Sequence, residues 1–284
     1  MKRASILAVA LAIAALPAAA GGPVTVMTYN IHHAEGLDGT VDLDRIARVI
    51  RAERPDIICL QEVDVQCRRT GGVDIPGVLA GKLGMNVAFG PCLQFDGGHY
   101  GNATLTRFEI LHSENMRLPS PQGAESRGCL VTTLDVDGVE VAVLNTHLGL
   151  QPPARKEQAS AILERLPAGP VILAGDFNET ADMPGLQLLL TTFQDSFRWN
   201  RGEAQATYGQ GAEARRIDFV LVSKDVLVLS SRVVASGDSQ VASDHFPYVA
   251  QVDAGSPSET AADRGVYDEK DERVLEAVVE GKEE

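Results

Sequence analysis

Two runs in which apolar and polar residues interleave, 130–136 and 140–146, flank the dipeptide Asp137-Gly138. Alternation is the period of a half-buried strand, and Asp-Gly supplies the positive φ that a two-residue hairpin turn needs. The two runs must therefore pair antiparallel, and no sheet that holds them can be wholly parallel. Further strand-like runs lie at 24–31, 57–60, 86–89, 102–106, 109–116, 171–174, 217–222 and 245–252. Helical spacing appears at 42–53, where Leu43, Ile46, Ala47, Val49 and Ile50 follow the capping residue Asp42, and again at 72–83 and 153–166. Many strands with a few helices between them imply two mixed sheets covered by helices, a layered α/β architecture. No G-x-G-x-x-G follows the first strand and no Walker sequence is present, which removes the dinucleotide and P-loop readings.

Residues 1–20 carry Lys2 and Arg3, an apolar stretch over 6–16, and then Ala18-Ala19-Ala20. A basic start, an apolar run too short to span a bilayer and a small-residue cleavage site make a secretory signal peptide. The mature protein is expected to be periplasmic or secreted, and monomeric. It should lack a transmembrane segment, since no later stretch approaches the ~18 apolar residues a span requires. Residues 254–284 are acidic and poor in apolar side chains, and are expected to form a disordered tail. Residues 21–253 then suit one large domain. The net charge of −14 disfavours tight, sequence-independent binding of nucleic acid, where Lys and Arg must meet phosphates. Export permits disulfides. Cys59 and Cys129 fall in strand-like runs and read as buried thiols, whereas Cys67 and Cys92 fall in polar loops and are the candidate pair if a disulfide forms.

Strand after strand borders a residue suited to metal or phosphate chemistry. The first ends at Asn30, followed by His32 and His33, and the second runs into Glu62. Asn102 begins another, and the hairpin's second strand ends in Asn145-Thr146-His147. Val171-Ile172-Leu173-Ala174 runs into Gly175-Asp176-Phe177-Asn178, where alternation would aim Asp176 and Asn178 into one cavity. Asp218 opens the next strand, and Ser243-Asp244-His245 the last. Glu62, Asp244 and Asn30 are hard oxygen donors of the kind that suits Mg²⁺ or Mn²⁺, and neither H-E-x-x-H nor a cysteine cluster favours zinc. His147 and His245 could donate to phosphate oxygens or carry protons. Asp176 could activate a water, Asp218 could orient a histidine, and Asn178 and Asn102 could bond a phosphoryl oxygen. Arg68 and Arg69, near Glu62, could bind a substrate phosphate or simply be solvated.

Taken in order, Tyr29-Asn30-Ile31-His32, Leu60-Gln61-Glu62-Val63-Asp64, Gly101-Asn102-Ala103, Asn145-Thr146-His147, Gly175-Asp176-Phe177-Asn178, Arg216-Ile217-Asp218 and Ser243-Asp244-His245 resemble the endonuclease/exonuclease/phosphatase superfamily. The resemblance implies a four-layer α/β-β/α sandwich and a metal-dependent phosphoric ester hydrolase. It assigns Mg²⁺ chiefly to Glu62, with Asn30 and Asp244 in support. It assigns the nucleophilic water to Asp176, phosphate stabilisation to Asn178 and His147, and the scissile phosphate to His245, with Asp218 as the histidine's partner. Asn102, Arg68 and His32 are left as substrate-binding candidates. His32 stands where some nuclease members carry an Asp, which removes one metal carboxylate. The acidic core and the short loops between motifs fit a small or lipid-linked phosphoester. The alternatives are a secreted DNase I-like nuclease, with nucleic acid as partner, and a silent binding module on the same fold.

Overall fold

The computed structural model of the protein describes residues 22–255, so the expected leader and nearly all of the expected tail lie outside the described residues. The first sheet joins β1 (Val24–Asn30), β2 (Ile57–Val65), β3 (Asn86–Phe95), β4 (Gly98–Thr106), β11 (Leu227–Val233) and β12 (Tyr248–Asp253), in the order β11-β12-β1-β2-β4-β3. The second joins β5 (Glu109–Arg117), β6 (Gly128–Val136), β7 (Val139–His147), β8 (Val171–Asp176), β9 (Gln194–Asp195) and β10 (Asp218–Val222), in the order β5-β6-β7-β8-β10-β9. Helices α1 (Leu43–Glu53), α2 (Ile75–Leu83), α3 (Pro152–Leu163), α4 (Pro184–Leu189) and α5 (Ser239–Ala242) complete the architecture. No helix among the described residues is long and apolar enough to cross a membrane.

Alternation along the central strands builds three cores. Val24 and Val26 of β1, Ile57 and Cys59 of β2, and Ile172 and Ala174 of β8 meet between the sheets. Met27, Tyr29, Ile58 and Leu60 turn outward onto Ile46 and Ile50 of α1 and Leu79 of α2. Leu144, Leu173 and Phe219 turn outward onto Ile162 of α3 and Leu186 of α4. The result is the expected order of layers, helix, sheet, sheet, helix.

Strand direction decides where the chemistry gathers. β1 runs parallel to β2, and β7 parallel to β8. β12 returns antiparallel to β1, and β10 antiparallel to β8 with Asp218 opposite Asp176. The carboxyl ends of β1, β7 and β8 therefore share one edge of the sandwich with the amino ends of β10 and β12.

Several sequence boundaries are corrected. Helix α2 starts at Ile75, where Asp74 accepts the Gly77 amide at 3.2 Å, because Gly71 and Gly72 hold φ of 71° and 73°, outside helical space. β3 and β4 are longer than expected and form a second hairpin about Asp96-Gly97. The last strand begins at Tyr248, not at His245, because Pro247 has no amide to give the ladder. α4, β9, β11 and α5 were not anticipated. The candidate Cys67–Cys92 pair is not formed, for both thiols are free. Cys67 Sγ is buried against the Phe95 and His99 carbonyls at 3.2 and 3.3 Å, and Cys92 Sγ faces the Gly90 carbonyl.

Candidate active site

A cavity of about 600 Å³ opens at that shared edge. Glu62, His147, Asp176, Asn178, Asp244 and His245 line it. Asn30 is wholly buried and touches three of them.

Each residue arrives for a local reason. Leu60 pairs with Ala103 and Val63 with Gly101, so Gln61 and Glu62 together oppose Asn102 in a β-bulge. Glu62 takes a φ of 58° there. The bulge sends Gln61 inward, where its amide donates to Asn145 Oδ1 at 2.8 Å, and turns Glu62 to the cavity. Asn145 donates on to the Leu60 and Ala103 carbonyls at 3.1 and 2.9 Å, lacing the sheets together beneath the site. Ser243 Oγ donates to the Asn30 carbonyl at 2.8 Å and accepts the His245 amide at 3.2 Å, which pins the segment before β12 to the end of β1.

Asp176 is the hub. Its Oδ1 accepts the Asn178 amide at 2.9 Å. Its Oδ2 accepts Asn30 Nδ2 at 3.1 Å and lies 3.3 Å from His147 Nε2 and 3.7 Å from His245 Nε2. Burial, opposed by the His245 charge, raises its pKa to about 7. His245 Nδ1 meets Asp218 Oδ2 at 2.9 Å. Burial alone would lower the His245 pKa, but the Asp218 and Asp176 carboxylates outweigh it and raise the value to about 10. His245 is thus the cationic imidazole of the site. His147 is its neutral counterpart, because burial and then the Arg127 charge hold its pKa well below the usual range.

Not every candidate reaches the cavity. Asn102 is buried between the sheets, with its amide nitrogen on the Gly128 and Asn145 carbonyls at 3.1 and 3.4 Å, so it does not face a substrate. Arg68 extends into solvent with Asp96 at 2.9 Å and is absent from the lining; Arg69 lines the cavity in its place. Asn178 shares the cavity with Asp176, but not by strand alternation. The strand ends at Asp176, and Asn178 turns back at φ 53° with Nδ2 on the Leu148 carbonyl at 3.0 Å. Asn30 presents its amide nitrogen to Glu62 Oε1 at 3.0 Å, while its Oδ1 accepts the His32 amide. Through these contacts it positions Glu62 and Asp176. His32 sits beside Glu62 and bonds the Glu35 carbonyl at 3.2 Å.

Sequence reasoning missed Arg127, Glu125, Tyr208 and Arg215, which also line the cavity. Arg127 is buried, with Nη1 3.0 Å from both His147 Nδ1 and Glu125 Oε1. Tyr208 packs its ring 4.8 Å from that of His245, under the guanidinium of Arg215. Leu93, Phe95 and the exposed Leu150 add an apolar stretch to the wall. For a divalent cation the donor chemistry fits: Glu62 and Asp244 bring oxygen to the cavity, and Glu62 also lies in a cluster with His32 and His33.

Known proteins resemble this chain in sequence and fold. The chain is 29% identical over 242 residues to the Uncharacterized protein YbhP of Escherichia coli K12, across 80% of this chain and 95% of that one. It superposes on an endonuclease/exonuclease/phosphatase from Beutenbergia cavernae DSM 12333 with a TM-score of 0.68 at 27% identity, covering 81% of this chain and 71% of the other. It shares a fold with the mannosyl-6-phosphatase of Bacteroides thetaiotaomicron VPI-5482, at a TM-score of 0.66 and 22% identity over 81% and 99% of the two chains. The sequence model of the Endonuclease/Exonuclease/phosphatase family matches residues 27–245, from β1 to the histidine before β12. That span holds every carboxylate and histidine of the cavity, and the chain belongs to the Endonuclease/Exonuclease/phosphatase family.

Proposed function

We propose that the protein is an exported, Mg²⁺-dependent phosphodiesterase that hydrolyses a small or lipid-linked phosphoester by attack of water on phosphorus. Export rests on the leader pattern of residues 1–20. The observation that carries the reaction is the placement of Asp176, a buried carboxylate held by Asn30 and Asn178 between a neutral and a cationic histidine.

Each side chain has work that its contacts suit. Asp176, with a pKa raised to about 7, accepts a proton from the attacking water. His245 keeps its proton through neutrality, oriented by Asp218, and donates from Nε2 to a phosphoryl oxygen. His147, with Nδ1 occupied by Arg127, carries its proton on Nε2 and fixes the Asp176 carboxylate. Glu62 and Asp244 would hold Mg²⁺, with Mn²⁺ as a substitute. The bound cation supplies Lewis-acid neutralisation of phosphate charge. Arg69, Arg127 and Arg215 in the cavity lining offer guanidinium donors to an anionic head group, and Leu93, Phe95 and Leu150 offer apolar surface to what the phosphate carries.

Hydrolysis of bis-p-nitrophenyl phosphate, with Mg²⁺ and with EDTA, tests the reading. Metal-dependent turnover is expected; its absence across several phosphoesters would leave a binding module. A panel of plasmid DNA, sphingomyelin and inositol phosphates separates a lipid or small substrate from the nuclease alternative.

A further inference from the structure

The turn after β1 is strained, and it presents two adjacent histidines to Glu62. His32, His33 and Ala34 all lie in left-handed backbone, at φ of 45°, 45° and 67°. Non-glycine residues there cost about 1–3 kcal/mol each and persist only where the surroundings enforce them. Here the Ala34 amide bonds the Ile31 carbonyl, and the Asp42 amide the Ala34 carbonyl. The turn holds both imidazoles beside the bulge that carries Glu62.

One nitrogen of each ring is already engaged. His32 Nδ1 meets the Glu35 carbonyl at 3.2 Å, and His33 Nε2 meets the Glu35 carboxylate at 3.2 Å. Both partners are acceptors, so those nitrogens carry the protons. His32 Nε2 and His33 Nδ1 are left with lone pairs. His33 is only 5% exposed, and its Nδ1 is buried with no hydrogen-bond partner. Such a buried orphan costs on the order of 1–3 kcal/mol and calls for an occupant. A ring nitrogen of His32, one of His33 and a Glu62 carboxylate oxygen lie within 4.8 Å of one another. Ligands of a tetrahedral zinc-like ion stand about 3.3 Å apart, within reach of small side-chain rotations. Metal-bound histidines characteristically donate their second N–H to a carboxylate or carbonyl, and Glu35 supplies one of each.

We propose that His32 Nε2, His33 Nδ1 and a Glu62 carboxylate oxygen form a site for a divalent transition cation of the zinc class. It adjoins the oxygen-donor position of Glu62 and Asp244, and depends on the function proposed above only in that Glu62 would serve both cations. Two imidazoles and one carboxylate select a borderline cation over Mg²⁺, and three protein ligands leave a fourth coordination position free.

Titration of the EDTA-treated full chain with Co²⁺, followed by visible absorption, tests the site. One equivalent should give the strong ligand-field bands of a low-coordinate nitrogen-oxygen site, and the bands should survive excess Mg²⁺. H33N should abolish them; asparagine is chosen because it tolerates left-handed backbone. E35Q should weaken Co²⁺ affinity about 10–100-fold, while D176N should leave the spectrum unchanged. Weak octahedral bands in the wild type, or an H33N spectrum like the wild type's, would overturn the proposal. Should H33N fail to fold, ¹⁵N shifts of the His33 ring on adding Zn²⁺ to the wild type decide, and unchanged shifts overturn it. Mg²⁺-dependent turnover without the cobalt bands sinks only this site, whereas the bands without turnover on any phosphoester sink only the proposed reaction.

Discussion

Arg127 Nη1 lies 3.0 Å from His147 Nδ1. A guanidinium has no lone pair to offer, so the contact makes Nδ1 the acceptor and leaves the ring proton on Nε2, 3.3 Å from Asp176. One arginine thus sets the tautomer of a histidine that neutralises no charge itself. R127M should release Nδ1, and ¹⁵N spectra of the His147 ring should change from one tautomer to a mixture. Turnover should fall about 10²-fold, on the scale of one lost oriented donor, with a smaller change in KM. An unchanged His147 tautomer in R127M would remove this role.

The ion pair of His245 with Asp218 predicts a pH dependence of stability in metal-free protein. The folded pKa of His245, about 10, lies above its ordinary value of about 6.5. Its contribution to stability is therefore full below about pH 6.5 and is lost as pH rises through about 10. Urea denaturation at pH 6, 8 and 10 should show the stability difference between wild type and H245Q moving steadily against the wild type over this window. A difference that stays constant with pH would refute the assignment.

How far the chain could be read follows from the reach of its signals. Glu62, Asp176 and His245 could be found because each borders an apolar run, and strand ends gather at sheet edges. Arg127 stands in a polar stretch 20 residues from His147, and only pairing joins the two. That pairing had a trace: the strands flanking Asp137-Gly138 match Val136 with Val139 and Cys129 with Thr146. One further step sets Gly128 opposite His147, and Arg127 is the next residue along. The Glu62 bulge had no such trace, because an extra residue in one strand shows only against its partner. Asn102 misled for the opposite reason. An asparagine in a strand looks the same whether it faces a substrate or laces two sheets together.

Gly175 explains why the Asp176 segment begins with glycine. Its φ is 154°, and a Cβ there would stand 1.9 Å from the Thr146 carbonyl oxygen of β7. That neighbour is backbone in a paired strand and cannot swing aside. G175A should cost about 1–3 kcal/mol or more, on the scale of overpacking, and should loosen the register of β7 on β8. Chemical denaturation measures the first effect. Hydrogen exchange of the Thr146 and His147 amides measures the second. Wild-type stability would show that the strands separate more easily than this contact implies.

Asp176 carries the sharpest kinetic expectation. In metal-free protein its carboxyl should titrate near 7 by ¹³C NMR, since burial raises it and the His245 charge opposes that rise. A cation held by Glu62 favours the ionised form and draws the value down. The acid limb of kcat/KM should therefore lie at or below about 7, and its alkaline limb near 10, where His245 loses its proton. D176N keeps the side-chain shape but cannot accept the water's proton, so turnover should drop about 10³-fold or more. D176N that kept wild-type turnover, or an acid limb lying well above 7, would show that another group accepts the proton.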